Sequence, residues 1–344
     1  MAKGQLIAAL VLYSVLCWLV PVTTFSQQII KLQEGKNTSI RGLSVVSNSV
    51  AWVSGSNGCT ARSTDGGTTW SWSQVAGYEK FDFRDIEAFS ATDAIIVSAG
   101  TPAVILATSD AGRSWQEVYR NSSPDIFLDG MDFWSRKKGI IYGDPISGKM
   151  QLLQTEDGGK TWKDISQQLS IPLMSGEASF AASGTAIRTL KNGKVFIATG
   201  GAQSRLFFSP NYGSTWRVTD IPVIQGLSST GPFSIAFKNR KKGIAVGGDY
   251  LRDTVRTKNL VLTEDGGVNW TASKIHPYGY RSAIEFITSH MVLTTGPTGT
   301  DISSDRGVTW RQLSSDGYNC VRKAKKGNLV LLAGTGGKIS KLQF

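Results

Sequence analysis

Histidine and cysteine are almost missing: two histidines and three cysteines in 344 residues. His276 and His290 have no Cys or carboxylate at metal-ligand spacing, so the sequence offers no zinc site. The same scarcity gives no sign of a Ser–His–Asp constellation. No glycine-rich phosphate loop opens a helix, no helix is apparent to carry one, and no redox-cofactor motif occurs. These absences leave no cofactor and no catalytic residue to assign. Long apolar runs are lacking too. The one charge-poor stretch, Leu6 to Val20, has fifteen residues, short of the roughly 20 that span a bilayer.

That stretch has a different meaning. Lys3 is the only charged side chain in the first thirty residues, Pro21 ends the run, and Thr24-Phe25-Ser26 places small residues at a cleavage site. This order predicts a secretory signal peptide over residues 1–26 and export of residues 27–344 to the periplasm or beyond, with no membrane span left after cleavage. Cys17 lies inside it, without the small preceding residue a lipid-anchor signal needs. Cys59 and Cys320 remain in a compartment that permits a disulfide. They fall at the same end of neighbouring repeats but about one strand's width apart, and two unrelated thiols is the reading taken. The chain keeps nearly all of its +11 net charge. Solubility is the preferred account of that excess, ahead of an anionic partner.

What the sequence has in quantity is glycine (38) and tryptophan (10), and both recur on a pattern. The octet Ser63-Thr64-Asp65-Gly66-Gly67-Thr68-Thr69-Trp70 returns as TSDAGRSW from Thr108, TEDGGKTW from Thr155, SPNYGSTW from Ser209, TEDGGVNW from Thr263 and SSDRGVTW from Ser303. Asp65, Asp110, Asp157, Asn211, Asp265 and Asp305 are spaced 40 to 54 residues apart, the period of propeller blades. Ahead of each octet run two β-like segments, such as Arg84 to Phe89 and Ala94 to Gly100, bounded by turn residues. Each repeat is thus four strands, A to D, with the octet turning C into D.

A seventh repeat, from Cys320, stops after its strand C. Gln28 to Leu32, which has no partner at its own end, supplies the missing strand by pairing with Ile339 to Phe344. The expectation is an all-β, seven-bladed propeller of four-stranded blades, one domain over residues 27–344, closed by its N- and C-terminal strands. The six aspartate-type positions read as structural. An acid opening a turn accepts N–H groups two or three residues on, the glycine two positions later takes a positive φ, and a catalytic carboxylate would not recur six times around a ring.

A binding site belongs at the other end, where D–A and B–C loops converge on the axis. Aligning strand A by its last apolar residue puts Arg41, Arg84 and Arg281 at one position, an anion-binding arrangement, with Asp85, Asp129 and Glu285 close enough to pair with them. The loops add Asp144, Glu177, Asp249, Tyr250 and Tyr280. At the octet end, Arg136-Lys137-Lys138, Arg240-Lys241-Lys242 and Lys323 to Lys326 read as solvated hairpin turns.

The octets, with the Arg84–Phe89 strand and segments such as Gly143-Asp144-Pro145, Gly176-Glu177, Gly247-Gly248-Asp249-Tyr250 and Tyr280-Arg281-Ser282, resemble the BNR/Asp-box propellers over the whole mature chain. Among these the chain looks most like the photosystem II stability/assembly-factor-like family, and in particular its exported bacterial members, some labelled oxidoreductase. The resemblance implies an assembly scaffold in which an arginine patch holds a partner protein, with Arg41, Arg84 and Arg281 as its nearest equivalents. Blades 3, 4, 5 and 7 have no arginine there, which argues against a photosystem partner. Sialidases share the Asp-box, but their Arg-Ile-Pro signature is replaced by Arg41-Gly42-Leu43. The sequence therefore points to a monomeric, non-catalytic propeller that binds a protein or glycan outside the cytoplasm, nucleic acid excluded, with a glycan-active hydrolase as the alternative.

Overall fold

The computed structural model describes residues 27–344; the signal-peptide segment and Cys17 lie outside them. Seven antiparallel sheets form a ring around one axis. Blade 1 runs Ile40–Val45, Ala51–Gly55, Cys59–Ser63 and Ser71–Gln74, and blades 2, 3, 5 and 6 repeat that meander. Blade 4 differs: its innermost edge comes in two pieces, Glu177–Ala178 and Ile187–Leu190, both paired with Lys194–Gly201. The intervening residues loop out over the axis. Among the described residues the only helix is a single 3-10 turn, Ser166–Gln168.

Blade 7 closes the ring as the sequence requires. Gln28–Gln33 pairs antiparallel with Ile339–Gln343, Ile29 facing Leu342 and Lys31 facing Ser340. Alternation along these strands sends Ile29 and Leu32 into the two clefts that flank blade 7, where they join the cores against Leu342 and Leu331. Each cleft is an apolar core of aliphatic side chains, with aromatic rings added, drawn from two adjacent sheets, so neighbouring blades hold each other.

The octets make the turns at the outer hairpin end, with more bonds than sequence alone suggested. Asp65 accepts the N–H and the hydroxyl of Thr69, four residues on, and the same reach recurs at the other five positions. Bonds at three residues occur only at Asp157 and Asp265. The Ser or Thr that opens every octet is the missed partner. Its hydroxyl donates to the acid and accepts the N–H of the glycine four residues later, as Thr155 does with Asp157 and Gly159. That glycine is in the left-handed region in all six, Gly159 at φ 85°, and a Cβ there would strike Ile95 of the neighbouring blade at 2.1 Å. Asn211 bonds Thr215 equally well without a charge. These bonds hold the acids low. Asp65 is at about 2, chiefly through the Thr69 hydroxyl and then its N–H, and Asp110 is at about 2, chiefly through the Ser114 N–H.

Asp157→Ala is expected to cost about 1 kcal/mol, the net worth of a lost turn acceptor. Any ligand affinity at the opposite end should stay unchanged. Chemical denaturation of the variant checks the first part, and a binding loss in a normally folded variant would contradict the second.

Cys59 and Cys320 are both free thiols. Cys320 sits wholly buried at the start of strand A in blade 7, and burial pushes its thiol up to about 12; Cys59 is half-buried on strand C of blade 1. In residues 27–344, a thiol reagent should modify Cys59 slowly and Cys320 only after unfolding. A native protein with no titratable thiol in either state would show a bond that the fold does not contain.

Candidate functional site

The axis opens at two mouths. The one ringed by D–A and B–C loops holds a cavity of about 550 Å³, and its lining follows from one recurring irregularity. In blades 1, 2, 3 and 5 strand A carries a bulge near its start, at Arg41, Arg84, Asp129 and Phe233. In blades 6 and 7 the N–H groups of Ser282 and Asn319 bond the carbonyls of Thr295 and Ala333, which already face Ala283 and Cys320. A bulged residue is freed from the pleat and its side chain is re-aimed. All six of these side chains line the cavity, and blade 4 adds Ser179 to Ala182 from its looped-out segment.

This register corrects the arginine trio. Arg281 precedes the bulge in blade 6, the place that Ile40, Phe83, Leu128 and Tyr318 hold in other blades, and so it points between blades. Its neighbour Ser282 is the true equivalent of Arg41 and Arg84. Arg281 is fully buried, its Nε 2.5 Å from Asp301 Oδ2 and its Nη1 bonded to Tyr280 O and Thr298 Oγ1. The strand B glycine opposite the residue before the bulge marks the register. At Gly55 a Cβ would lie 2.5 Å from Ser39 O, and at Gly247 1.9 Å from Gly231 O.

Glu177 and Asp249 are also held in the framework rather than in the cavity. Glu177 takes Arg205 through both oxygens, Nε at 3.0 Å to each, and accepts the Thr199 hydroxyl; the pair pins the blade 4 edge. Asp249, 1% exposed, accepts Arg252 Nε and the Leu251 N–H and so shapes the blade 5 loop. Arg41, Arg84, Asp144, Tyr250 and Tyr280 do come together on the cavity.

Their chemistry is mixed. Arg41 donates to the Ala182 carbonyl, and Arg84 holds Asp82 at 2.7 Å. Burial, and then the Arg84 charge, lower the pKa of Arg41. Asp144 accepts the Ser179 N–H. Asp129, which pairs with neither arginine, is 1% exposed and has no hydrogen-bond donor on either oxygen. Burial, reinforced by the Asp144 charge, raises its carboxyl well above the usual range. The far wall is aromatic. Phe180 stacks on Phe233 at 3.8 Å, and Tyr280 and Tyr250 meet Phe233 edge-on at 4.8 and 6.0 Å. Tyr250 stays nearly half exposed at the rim.

The opposite mouth, about 290 Å³, gathers Asp85, Glu87, Asp132 and Glu285 with Arg188, Arg322 and Lys325. These charges answer one another: Lys325 meets Glu87 at 2.5 Å, and Glu285 takes Arg188 at 3.3 Å and Arg322 at 3.8 Å. Asp85 and Glu285, expected beside the arginines of the loop mouth, lie here because each sits beyond the bulge. Burial lifts Asp85 to about 7 against the pull of Arg322 and two N–H groups. The basic hairpins are partly neutralised, Lys138 by Glu156 and Lys242 by Glu264.

Residues 23–124 match the family model described as photosynthesis system II assembly factor YCF48. No curated protein matches the chain. Among solved structures, one of YCF48 bound to a D1 peptide is 14% identical, with 92% of this chain and 97% of that one covered at a TM-score of 0.66. YCF48 from Cyanidioschyzon merolae is 17% identical, with 92% and 99% covered at 0.65. A GH74 xyloglucanase from Xanthomonas campestris is 12% identical at a TM-score of 0.58, and only 53% of that chain is covered. Such identities speak to the fold alone, a seven-bladed propeller, and the family model matches this chain only over its first two blades.

Proposed function

We propose that this propeller is a non-catalytic scaffold that works outside the cytoplasm as a monomer and holds a segment of a partner protein in its loop mouth. The observation that carries the reading is the bulge ring. Six blades aim their strand A side chains into one cavity, which combines two arginines, two carboxylates and an aromatic wall. Convergent polar groups on an apolar wall are what a pocket needs to orient a ligand. YCF48, with the same fold, has been seen with a peptide bound, which supports a peptide here too. Export rests on the sequence of residues 1–26.

Panning a phage-displayed library of random peptides on residues 27–344 tests the function. Enriched peptides should lose at least about tenfold in affinity, roughly 1.4 kcal/mol, with Tyr250→Ala or Arg41→Ala. No enrichment, or binding indifferent to both changes, defeats the reading. Release of sugar from a glycan panel, abolished by Asp144→Asn, would replace it with the hydrolase. Fusing residues 1–26 to a reporter active only outside the cytoplasm tests the location; an inactive fusion would overturn it.

A further inference from the structure

Within the loop mouth, one buried acid is left without a donor from the protein. Asp129 reaches the cavity from its bulge with both oxygens unbonded, although it is 1% exposed. Ser179 Oγ, also buried on the lining, has no partner either. Asp144, one residue past the Gly143 that faces Leu128, brings a second carboxylate to the same wall. Neither nearby cation bonds Asp129: Arg84 holds Asp82 and Arg41 holds the Ala182 carbonyl, so the Arg84 charge reaches it only through space.

A buried carboxylate without a donor is costly. Core packing could have been served by an apolar residue, as Phe233 shows at the equivalent bulge. A group retained at such a cost, facing a cavity, implies a counterpart that arrives from outside. The same lining offers the faces and edges of Phe180, Phe233, Tyr250 and Tyr280. Aromatic rings attract a desolvated cation, and a carboxylate supplies its charge-assisted hydrogen bond. Carboxylates with an aromatic wall suit an ammonium or guanidinium group on a carbon stem.

We infer that the loop mouth contains a cation subsite in which Asp129 and Asp144 receive a lysine or arginine side chain of the bound segment, its stem lying along the aromatic wall. This rests on the peptide-holding reading and sharpens it: the arginines are not the sole anchors.

Four synthetic probes test it by calorimetric titration of residues 27–344. They are acetyl-Ala-Ala-Lys-Ala-Ala-amide, its arginine and norleucine counterparts, and an all-alanine pentapeptide amide with a free amino terminus. The lysine or arginine peptide should bind at least tenfold more tightly than the norleucine one. Asp129→Asn should erase that difference while melting no lower than the parent, because it removes an unpaired buried acid. Preference for the free-terminus probe would assign the same subsite to an amino terminus. Equal affinity for lysine and norleucine, absence of binding by all four, or full affinity in Asp129→Asn overturns the subsite. The two readings fail separately: panning without enrichment sinks the peptide function, whereas enriched peptides lacking any basic residue sink the subsite alone.

Discussion

Removal of residues 27–33 is expected to lower the melting temperature by on the order of 10 °C or more, and to make the protein prone to aggregate. The deleted strand is the outer strand of blade 7 and the clasp of the ring. Ile29 and Leu32, both partly buried, are together worth at most roughly 3–6 kcal/mol, and the lost ladder to Ile339–Gln343 adds about 1 kcal/mol per hydrogen bond. At about 2.1 cal/mol/K per residue, a domain of this size loses about 1.5 °C per kcal/mol. Ile339–Gln343 would then become an unpaired edge, open to pairing with another chain. The effect should spread into blade 1, because Leu32 packs beside Gly67, the turn glycine of the first octet. Scanning calorimetry of chains beginning at residue 27 and at residue 34 measures it. Melting of the two within a few degrees of each other would show that the ring does not depend on this clasp.

Ring, blade count and closure could be read from the sequence because each is written many times over. Six octets fix the period, and the unpaired first and last segments fit only each other. The candidate cavity was legible as a place but not as a set of lining residues. Its position follows from strand direction, which the octets define. Its membership follows from bulges, and a bulge shifts register by one residue, which turns a side chain from cavity to core. Aligning strand A by its apolar end passes over that shift. It groups Arg281 with Arg41 and Arg84 and leaves out Phe233, their counterpart in blade 5. It also places Asp129 close enough to the arginines to pair with them, which the structure does not show. The strand B glycines Gly55, Gly143, Gly247 and Gly296 were the available signal, since each abuts the backbone next to the bulge. Glu177 and Asp249 illustrate a different limit. A loop acid that braces its own loop looks, in sequence, like one that meets a ligand, and only the positions of Arg205 and Arg252 distinguish the two.

Arg281→Ala should destabilise the protein by about 3–5 kcal/mol, the cost of stranding one member of a buried ion pair, without weakening any ligand held at the loop mouth. Asp301, also fully buried, would keep only the Tyr278 N–H at 3.3 Å. The pH dependence follows from the acid left behind. Burial already raises the Asp301 carboxyl, and the Arg281 charge is the main force lowering it. Without that charge the folded-state value rises further above the unfolded one. Between the two values the folded protein binds a proton that the unfolded chain releases, so stability falls as pH rises. The penalty of Arg281→Ala should therefore be smallest in mild acid, below the ordinary carboxylate value, and grow toward neutrality. The double variant Arg281→Met with Asp301→Leu should recover most of the loss, since it leaves no charge to desolvate. Urea denaturation across pH, run beside a binding titration, measures each part. A variant that is stable yet deficient in binding would return Arg281 to the site; a penalty that does not change with pH would mean that Asp301 finds another partner when the guanidinium is gone.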